Sequence, residues 1–188
     1  MSTCGQCGIM DKKRGREPGR NRAAAEADAG AGAGEERIFL EKDWTIRRME
    51  ERDRAAVKEM MRVFYASPAV LSDGSEEIFD ADIDNCVGGC PFLEGYVFEK
   101  RDGDGILGYA MTAKSFSTEF GRPCVWIEDL YIREPYRGEG IGSRFFDYLT
   151  EAYPDAVQRL EVEEENRRAV RVYEKNGFAP LPYMEMKK

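Results

Sequence analysis

The stretch Val125–Leu149, VWIEDLYIREPYRGEGIGSRFFDYL, decides the fold. Its first eight residues read as a strand, and Gly138, Gly140 and Gly142 follow at alternate positions. Ile141, Phe145, Tyr148, Leu149 and, just beyond, Ala152 then recur at helical spacing. Strand, glycine turn and amphipathic helix together make an anion site. Glycine lets the backbone approach a ligand closely, and a helix entrance offers unbonded N–H groups and the positive end of its dipole. A phosphate or pyrophosphate suits that geometry, and Arg137 adds a positive charge beside it. Two commoner phosphate motifs do not fit. A Walker loop needs Lys and then Ser or Thr after its last glycine, whereas Gly142 is followed by Ser143 and Arg144. A dinucleotide fingerprint spaces its glycines GxGxxG, whereas these read GxGxG.

Downstream, Val157 to Val162 reads as a strand and Asn166 to Lys175 as a helix stopped by Asn176-Gly177. Phe178 to Met186 reads as one or two closing strands interrupted by Pro180 and Pro182. Upstream, Trp44 to Arg47 is a short strand. It is followed by a helix from about Glu50 to Ala66 with the stripe Val57, Met60, Met61 and Phe64, ended by Ser67-Pro68. A second helix runs from Ser75 to Val87, with Phe79, Ile83, Cys86 and Val87 on one side and Gly88-Gly89 as its stop. Two strands, Phe92 to Glu99 and Ile106 to Ala113, flank the hairpin signal Arg101-Asp-Gly-Asp-Gly105. The order β-α-α-β-β-β-α-β-α-β predicts an α/β domain with a sheet of mixed direction.

The 188 residues are 42% hydrophobic, enough for one domain with a real core. No run approaches the roughly 18 apolar residues of a membrane span. The N-terminus lacks the apolar core of a signal peptide, so a cytoplasmic protein is expected. Five cysteines without a secretory signal read as reduced thiols. There is no histidine. That excludes Ser/His and Cys/His nucleophile pairs, a histidine base and a His-ligated metal, leaving acid–base work to Glu, Asp, Tyr, Lys or Cys. The net charge of −8 disfavours nucleic acid and anionic membrane as partners and favours cationic ones.

Residues 1–43 differ from the rest. They run from Cys4-Gly-Gln-Cys7 through a basic segment into the alanine- and glycine-rich Ala23 to Gly34, with little to bury, and read as a flexible low-complexity tail. The tail holds eight acids and eight bases, so the domain, 44–188, carries the whole negative charge. Cys4 and Cys7 have zinc or redox spacing. A zinc site needs four ligands, for which only Cys86 and Cys90 are at hand, so plain thiols and no metal are the expectation. Between Arg62 and Lys100 there is no basic residue against eight acids: Asp73, Glu76, Glu77, Asp80, Asp82, Asp84, Glu94 and Glu99. They read either as a solvated helix face or as a region that attracts a cationic substrate.

Arg137-Gly-Glu-Gly-Ile-Gly142 after Ile127-Glu-Asp-Leu-Tyr-Ile132 resembles the acetyl-CoA signature of the GNAT superfamily of N-acetyltransferases. Leu160-Glu-Val-Glu-Glu-Glu-Asn166 and Tyr173-Glu-Lys-Asn-Gly-Phe178 resemble that family's second conserved block. The resemblance covers about residues 44–188. It implies a mostly antiparallel sheet with a splayed parallel strand pair in its centre, flanked by about four helices. It also implies acetyl transfer from acetyl-CoA straight to a primary amine. By resemblance the backbones of Leu130, Tyr131 and Ile132 bond the pantetheine arm, and Arg137, Gly138, Glu139, Gly140, Ile141, Gly142 and Ser143 hold the pyrophosphate. Asn166 caps the last helix or reaches CoA. From Glu128 to Ile132 is roughly 13 Å of strand, enough for an extended arm.

Strict alternation would place Trp126, Glu128, Leu130 and Ile132 on one face and Ile127, Asp129 and Tyr131 on the other, so only one of the adjoining acids would meet the amine. Family members with this Ile/Leu-Glu-Asp sequence, the diamine acetyltransferases among them, use the matching glutamate as base, which makes Glu128 the expected base. Asp129 in that role, and Glu128 as a structural acid, stay open. Tyr173 shares a helix face with Asn166, Ala169 and Val170. It matches the family tyrosine that protonates the departing thiolate. The expected acceptor is a small cationic metabolite, polyamine-like or amino-acid-like. A peptide or protein amine, or a noncatalytic acyl-CoA-binding module, are the alternatives. Many relatives are dimers, which implies a homodimer.

Overall fold

A computed structural model describes residues 43–71, 74–103, 105–184 and 186–188. The expectations for the tail and for Cys4 and Cys7 lie outside the described residues. Five strands form one sheet in sequence order: β1 (Trp44–Arg48), β2 (Leu93–Lys100), β3 (Ile106–Ser117), β4 (Arg122–Ile132) and β5 (Val157–Leu160). β1 to β4 pair antiparallel, and β4 pairs β5 in parallel. Four helices flank it: α1 (Arg54–Tyr65), α2 (Glu76–Val87), α3 (Ile141–Ala152) and α4 (Arg167–Lys175). This is the mixed, mostly antiparallel sheet that the resemblance implied, but its one parallel pair lies at the edge of the five described strands rather than in the centre, because the closing strands expected beyond β5 are not formed among the described residues. No described helix is long and apolar enough to cross a membrane.

Each face of the sheet carries its own core. On one, Ile141, Phe145, Phe146 and Leu149 of α3 pack on Ile46, Tyr96, Phe98, Leu107, Val125 and Ile127. On the other, Val57, Met60 and Met61 of α1 and Phe79 and Ile83 of α2 pack on Val97, Tyr109 and Met111. Each large apolar side chain fully buried here contributes roughly 1.5–3 kcal/mol. α1 and α2 are also laced by a charge ladder: Arg54 meets Asp84 and Asp80, Lys58 meets Asp80 and Glu76, and Arg62 meets Glu76. Three cations four residues apart thus face three acids four residues apart, as one side of each helix requires.

The acid-rich stretch therefore resolves mainly into structural pairs. Glu99 pairs with Arg47, and Glu94 with Arg48 and Lys114. Glu77 is exposed, Asp73 lies outside the described residues, and Asp82 takes a different position described below.

The expected closing strands are not formed: no described residue after Leu160 is in a strand. Pro180 and Pro182 each remove a ladder donor. α4 ends as expected at Gly177, whose φ of 86° is open to glycine, and Phe178 folds back onto Phe146 with ring centroids 5.1 Å apart.

Candidate active site

β4 changes character halfway along. Cys124, Val125, Trp126 and Ile127 pair with Val157 to Leu160 of β5, and there the pairing stops. On the other side the β3 register shifts: Met111 faces Asp129 and Thr112 faces Ile127, so Glu128 is the extra residue of a β-bulge. The bulge overturns the strict alternation expected from sequence. Ile127 joins Val125, Leu130 and Ile132 in the core beneath α3, whereas Asp129 and Tyr131 turn toward α1 and α2. Both adjoining acids consequently line one pocket. The inserted residue resets the period of two, a signal that residue pattern does not carry.

That pocket, of about 180 Å³, lies between β2, β3 and β4 and the two first helices, lined by Tyr65, Asp82, Leu93, Met111, Glu128 and Asp129. Asp129 forms its buried wall, 4% exposed. The Tyr109 hydroxyl donates to its Oδ2 at 2.9 Å and the Tyr65 hydroxyl to its Oδ1 at 3.2 Å. Among the described residues no cation pairs with it. Burial pushes the Asp129 carboxyl up to about 6; the two tyrosine hydrogen bonds work against that rise, and the nearby charges of Asp82 and Glu128 add to it. Glu128 is exposed at the pocket. Asp82 is half-buried, and burial raises its carboxyl too. Sequence reasoning had singled out neither Tyr65 nor Tyr109, and had named Asp82 only among eight acids. Its one signal was position: it sits three residues after Phe79, on the side of α2 that turns inward.

Beyond Glu128 the free edge of β4 is polar backbone. The Arg133 N–H donates to Leu107 O of the β3 side at 2.8 Å. By the two-residue alternation the N–H and C=O of Tyr131 also face β3, while those of Leu130 and Ile132 face the edge that β5 has left. Of the three backbones expected to bond an extended arm, Leu130 and Ile132 are thus the ones turned to the gap. Arg137 is tied to the strand end: its Nε donates to Ile132 O at 2.8 Å and its guanidinium lies 5.5 Å from the Tyr131 ring centroid.

The turn that follows has the shape of an anion cradle. Gly138 and Gly140 have φ of 90° and 86°, and a Cβ built on either would meet no atom within 4 Å. Gly140 is the residue before α3, so glycine is needed there for the left-handed entry and the space above it is clear. The first N–H groups of a twelve-residue helix follow at Ile141, Gly142 and Ser143. Gly138, Glu139 and Gly140 are exposed, and Gly142 and Ser143 half-buried. A pyrophosphate-bearing nucleotide fits these residues, and an arm extending from the pyrophosphate would have the Leu130 and Ile132 backbone beside it.

On α4, Asn166 is the cap: its Oδ1 accepts from the Ala169 N–H at 3.2 Å. Tyr173 is half-buried against Phe146 and Phe178, on the α3 side of the sheet. Burial raises its phenol, so it holds its proton at neutral pH. Tyr173 and the acidic pocket therefore belong to opposite faces of the sheet, on either side of the strand edge where β4 and β5 part.

The acetyltransferase (GNAT) family model matches residues 54–178. A thialysine N-epsilon-acetyltransferase of Bos taurus is 33% identical over 120 residues, 59% of this chain and 68% of the relative. The protein of that name from Sus scrofa is 32% identical over 152 residues, 74% and 86% of the two chains. Among solved structures, a possible acetyltransferase from Clostridium difficile superposes with a TM-score of 0.64 at 18% identity, covering 77% of this chain and 96% of that one. AAC(6')-Iy, in complex with a CoA-containing bisubstrate analogue, superposes at 0.59 and 13% identity, covering 77% and 97%. A family model over more than half of the chain, and relatives about a third identical, give the conclusion: the chain belongs to the GNAT family and is an acyltransferase.

Proposed function

We propose that this acyltransferase moves an acetyl group from acetyl-CoA to the primary amine of a small cationic metabolite. The observation that carries the reading is the pocket at the bulge, where Glu128 and Asp129 face one small cavity at the start of the strand gap. Its volume is well below the roughly 300–1,000 Å³ of sites for drug-sized ligands, which favours a small amine over a peptide. The names of the relatives, acetyltransferases of thialysine, also favour a small amine over a peptide; thialysine is an amino acid with a carboxylate beside its amines, so a preference between polyamine-like and amino-acid-like acceptors must come from this chain's own pocket.

The expected division of labour follows from position. The turn from Arg137 to Ser143 holds the pyrophosphate on N–H groups, and the Leu130 and Ile132 backbones guide the arm along the strand toward Glu128, with Tyr131 and Asn166 shaping that groove. An alkyl ammonium with pKa about 10.4 costs about 4.6 kcal/mol to deprotonate at neutral pH. Glu128, at the exposed rim of the pocket, is the relay that takes the proton; Asp129, deeper and held by two hydroxyls, is the fixed counter-charge. The free amine attacks the thioester carbonyl directly, the C–S bond breaks, and Tyr173 returns a proton to the sulfur. A cytoplasmic homodimer remains part of this reading.

Thiol release from acetyl-CoA with a panel of amines, followed by product mass, tests it. Glu128→Gln and Tyr173→Phe are each expected to lower kcat about 10²-fold or more while acetyl-CoA affinity holds. Wild-type rates in both would remove these roles, and CoA binding without any acetylated product would leave a noncatalytic module.

A further inference from the structure

The inward side of α2 carries Phe79, Asp82, Ile83 and Cys86, at the i, i+3, i+4, i+7 spacing of a core-facing stripe. Three of these suit a core, since Phe79 and Ile83 are buried against the sheet and Cys86 packs beside them. Asp82 does not. It is half-buried, its carboxyl is raised by burial alone, and among the described residues it has no cationic partner. Of the other acids on α2, Glu76, Asp80 and Asp84 meet Lys58, Arg62 and Arg54 of α1, and Glu77 is exposed to solvent. The α1 cations are thus engaged along the outer ladder while Asp82 turns into the pocket. A helix built only for packing would place Leu or Met there and avoid the cost of an unpaired, partly desolvated charge.

The remaining lining sharpens what such a charge would meet. Glu128 and Asp129 enter from β4, Asp82 from α2, and among the described residues no Lys or Arg lines the cavity. An acceptor carrying a carboxylate would bring a fourth negative group to walls that offer it no positive one. An acceptor with two ammonium groups would present one to each wall.

We propose that Asp82 is the residue that selects the acceptor, holding a second cationic group so that an amine bearing another ammonium is preferred to one bearing a carboxylate. This rests on the reading of the pocket as the acceptor site. Like charges across a small cavity discriminate as strongly as matched ones attract, so both halves of the preference come from one lining.

Three amines of one chain length separate the contributions: 1,5-diaminopentane, pentylamine and lysine, which adds a carboxylate to the diamine. In the wild-type protein kcat/KM is expected to favour the diamine over pentylamine, and over lysine, about tenfold or more. In Asp82→Asn the diamine-to-pentylamine ratio falls toward unity, the loss lying in KM. Asp82→Leu, with melting temperature measured alongside, guards against a folding artefact; it is expected to melt no lower than wild type, because it removes an unpaired charge. An unchanged ratio in folded variants, or lysine as the preferred acceptor of the wild type, overturns the role of Asp82 while leaving amine acetylation standing. Absence of thiol release with every amine overturns both readings together.

Discussion

Two carboxylates buried in the same sheet have opposite surroundings. Glu94 on β2 accepts from the Tyr96 hydroxyl at 2.7 Å and from the Tyr153 hydroxyl, and it pairs with Lys114 at 2.7 Å and Arg48 at 2.8 Å. Asp129 on β4 has two tyrosine hydroxyls and, among the described residues, no cation. Burial opposes ionisation in both, yet the four partners hold Glu94 down to about 2 while Asp129 rises to about 6. A buried acid whose partners are complete is architecture. One whose hydroxyls orient it but leave its charge unbalanced is set to receive a cation from outside.

The comparison is broken most severely at Glu94. Glu94→Leu leaves the hydroxyl of the fully buried Tyr96 only the Tyr153 hydroxyl, 3.5 Å away, and removes the shared acceptor of Arg48 and Lys114. Both cations keep contact with water, so the loss is expected at the low end for a broken buried pair, about 3 kcal/mol in denaturant unfolding. Turnover per folded molecule measures whether this hub has any part in chemistry.

Asp129→Asn should move stability the other way. Because the folded carboxyl titrates near 6 and the unfolded one near 3.8, the native state binds the extra proton between those values. Stability contributed by this group is then present at low pH and is lost as pH rises from about 4 to 6. Asn keeps an acceptor for the hydroxyls without the charge, so it is expected to stabilise by on the order of 2 kcal/mol at pH 8 and hardly at all at pH 4. Thermal melts at the two pH values check the sign. At the same time kcat/KM for cationic amines should drop about tenfold or more, and the fall in wild-type kcat/KM below pH about 6 should vanish.

The sequence made the contrast only partly legible. The glycine turn and the helix stripes follow from local residue patterns, and each appears where those patterns put it; the parallel pair came from the family resemblance and lies at the sheet's edge. Two features, the bulge and the helix ladder, depend on pairing between distant segments and left no local mark; a third, the missing closing strands, had its mark in the segment itself. The bulge at Glu128 exists because β3 and β4 fall out of register between Met111 and Thr112, and it alone brings two adjacent acids into one pocket. The ladder on α1 and α2 sorts paired acids from Asp82, which needs both helices at once. The closing strands failed because alternating apolar residues imitate a strand even where two prolines remove its donors.

The smallest perturbation probes how Asp129 is tuned. Tyr109→Phe deletes the shorter of its two hydrogen bonds, 2.9 Å against 3.2 Å from Tyr65, with little change in shape. A hydrogen bond to the charged form lowers a carboxyl's pKa, and its loss leaves burial and the charges of Asp82 and Glu128 less opposed. The acid limb of the kcat/KM profile should therefore move to higher pH, by about one unit at most, a bond to a charged group being worth about 1.5–3 kcal/mol before solvent and rearrangement reclaim part of it. Tyr65→Phe should move it in the same direction by less. A shift to lower pH in either variant would mean that the hydroxyls favour the neutral acid, and that Asp129, unlike the ionised Glu94, needs no cation because it carries no charge.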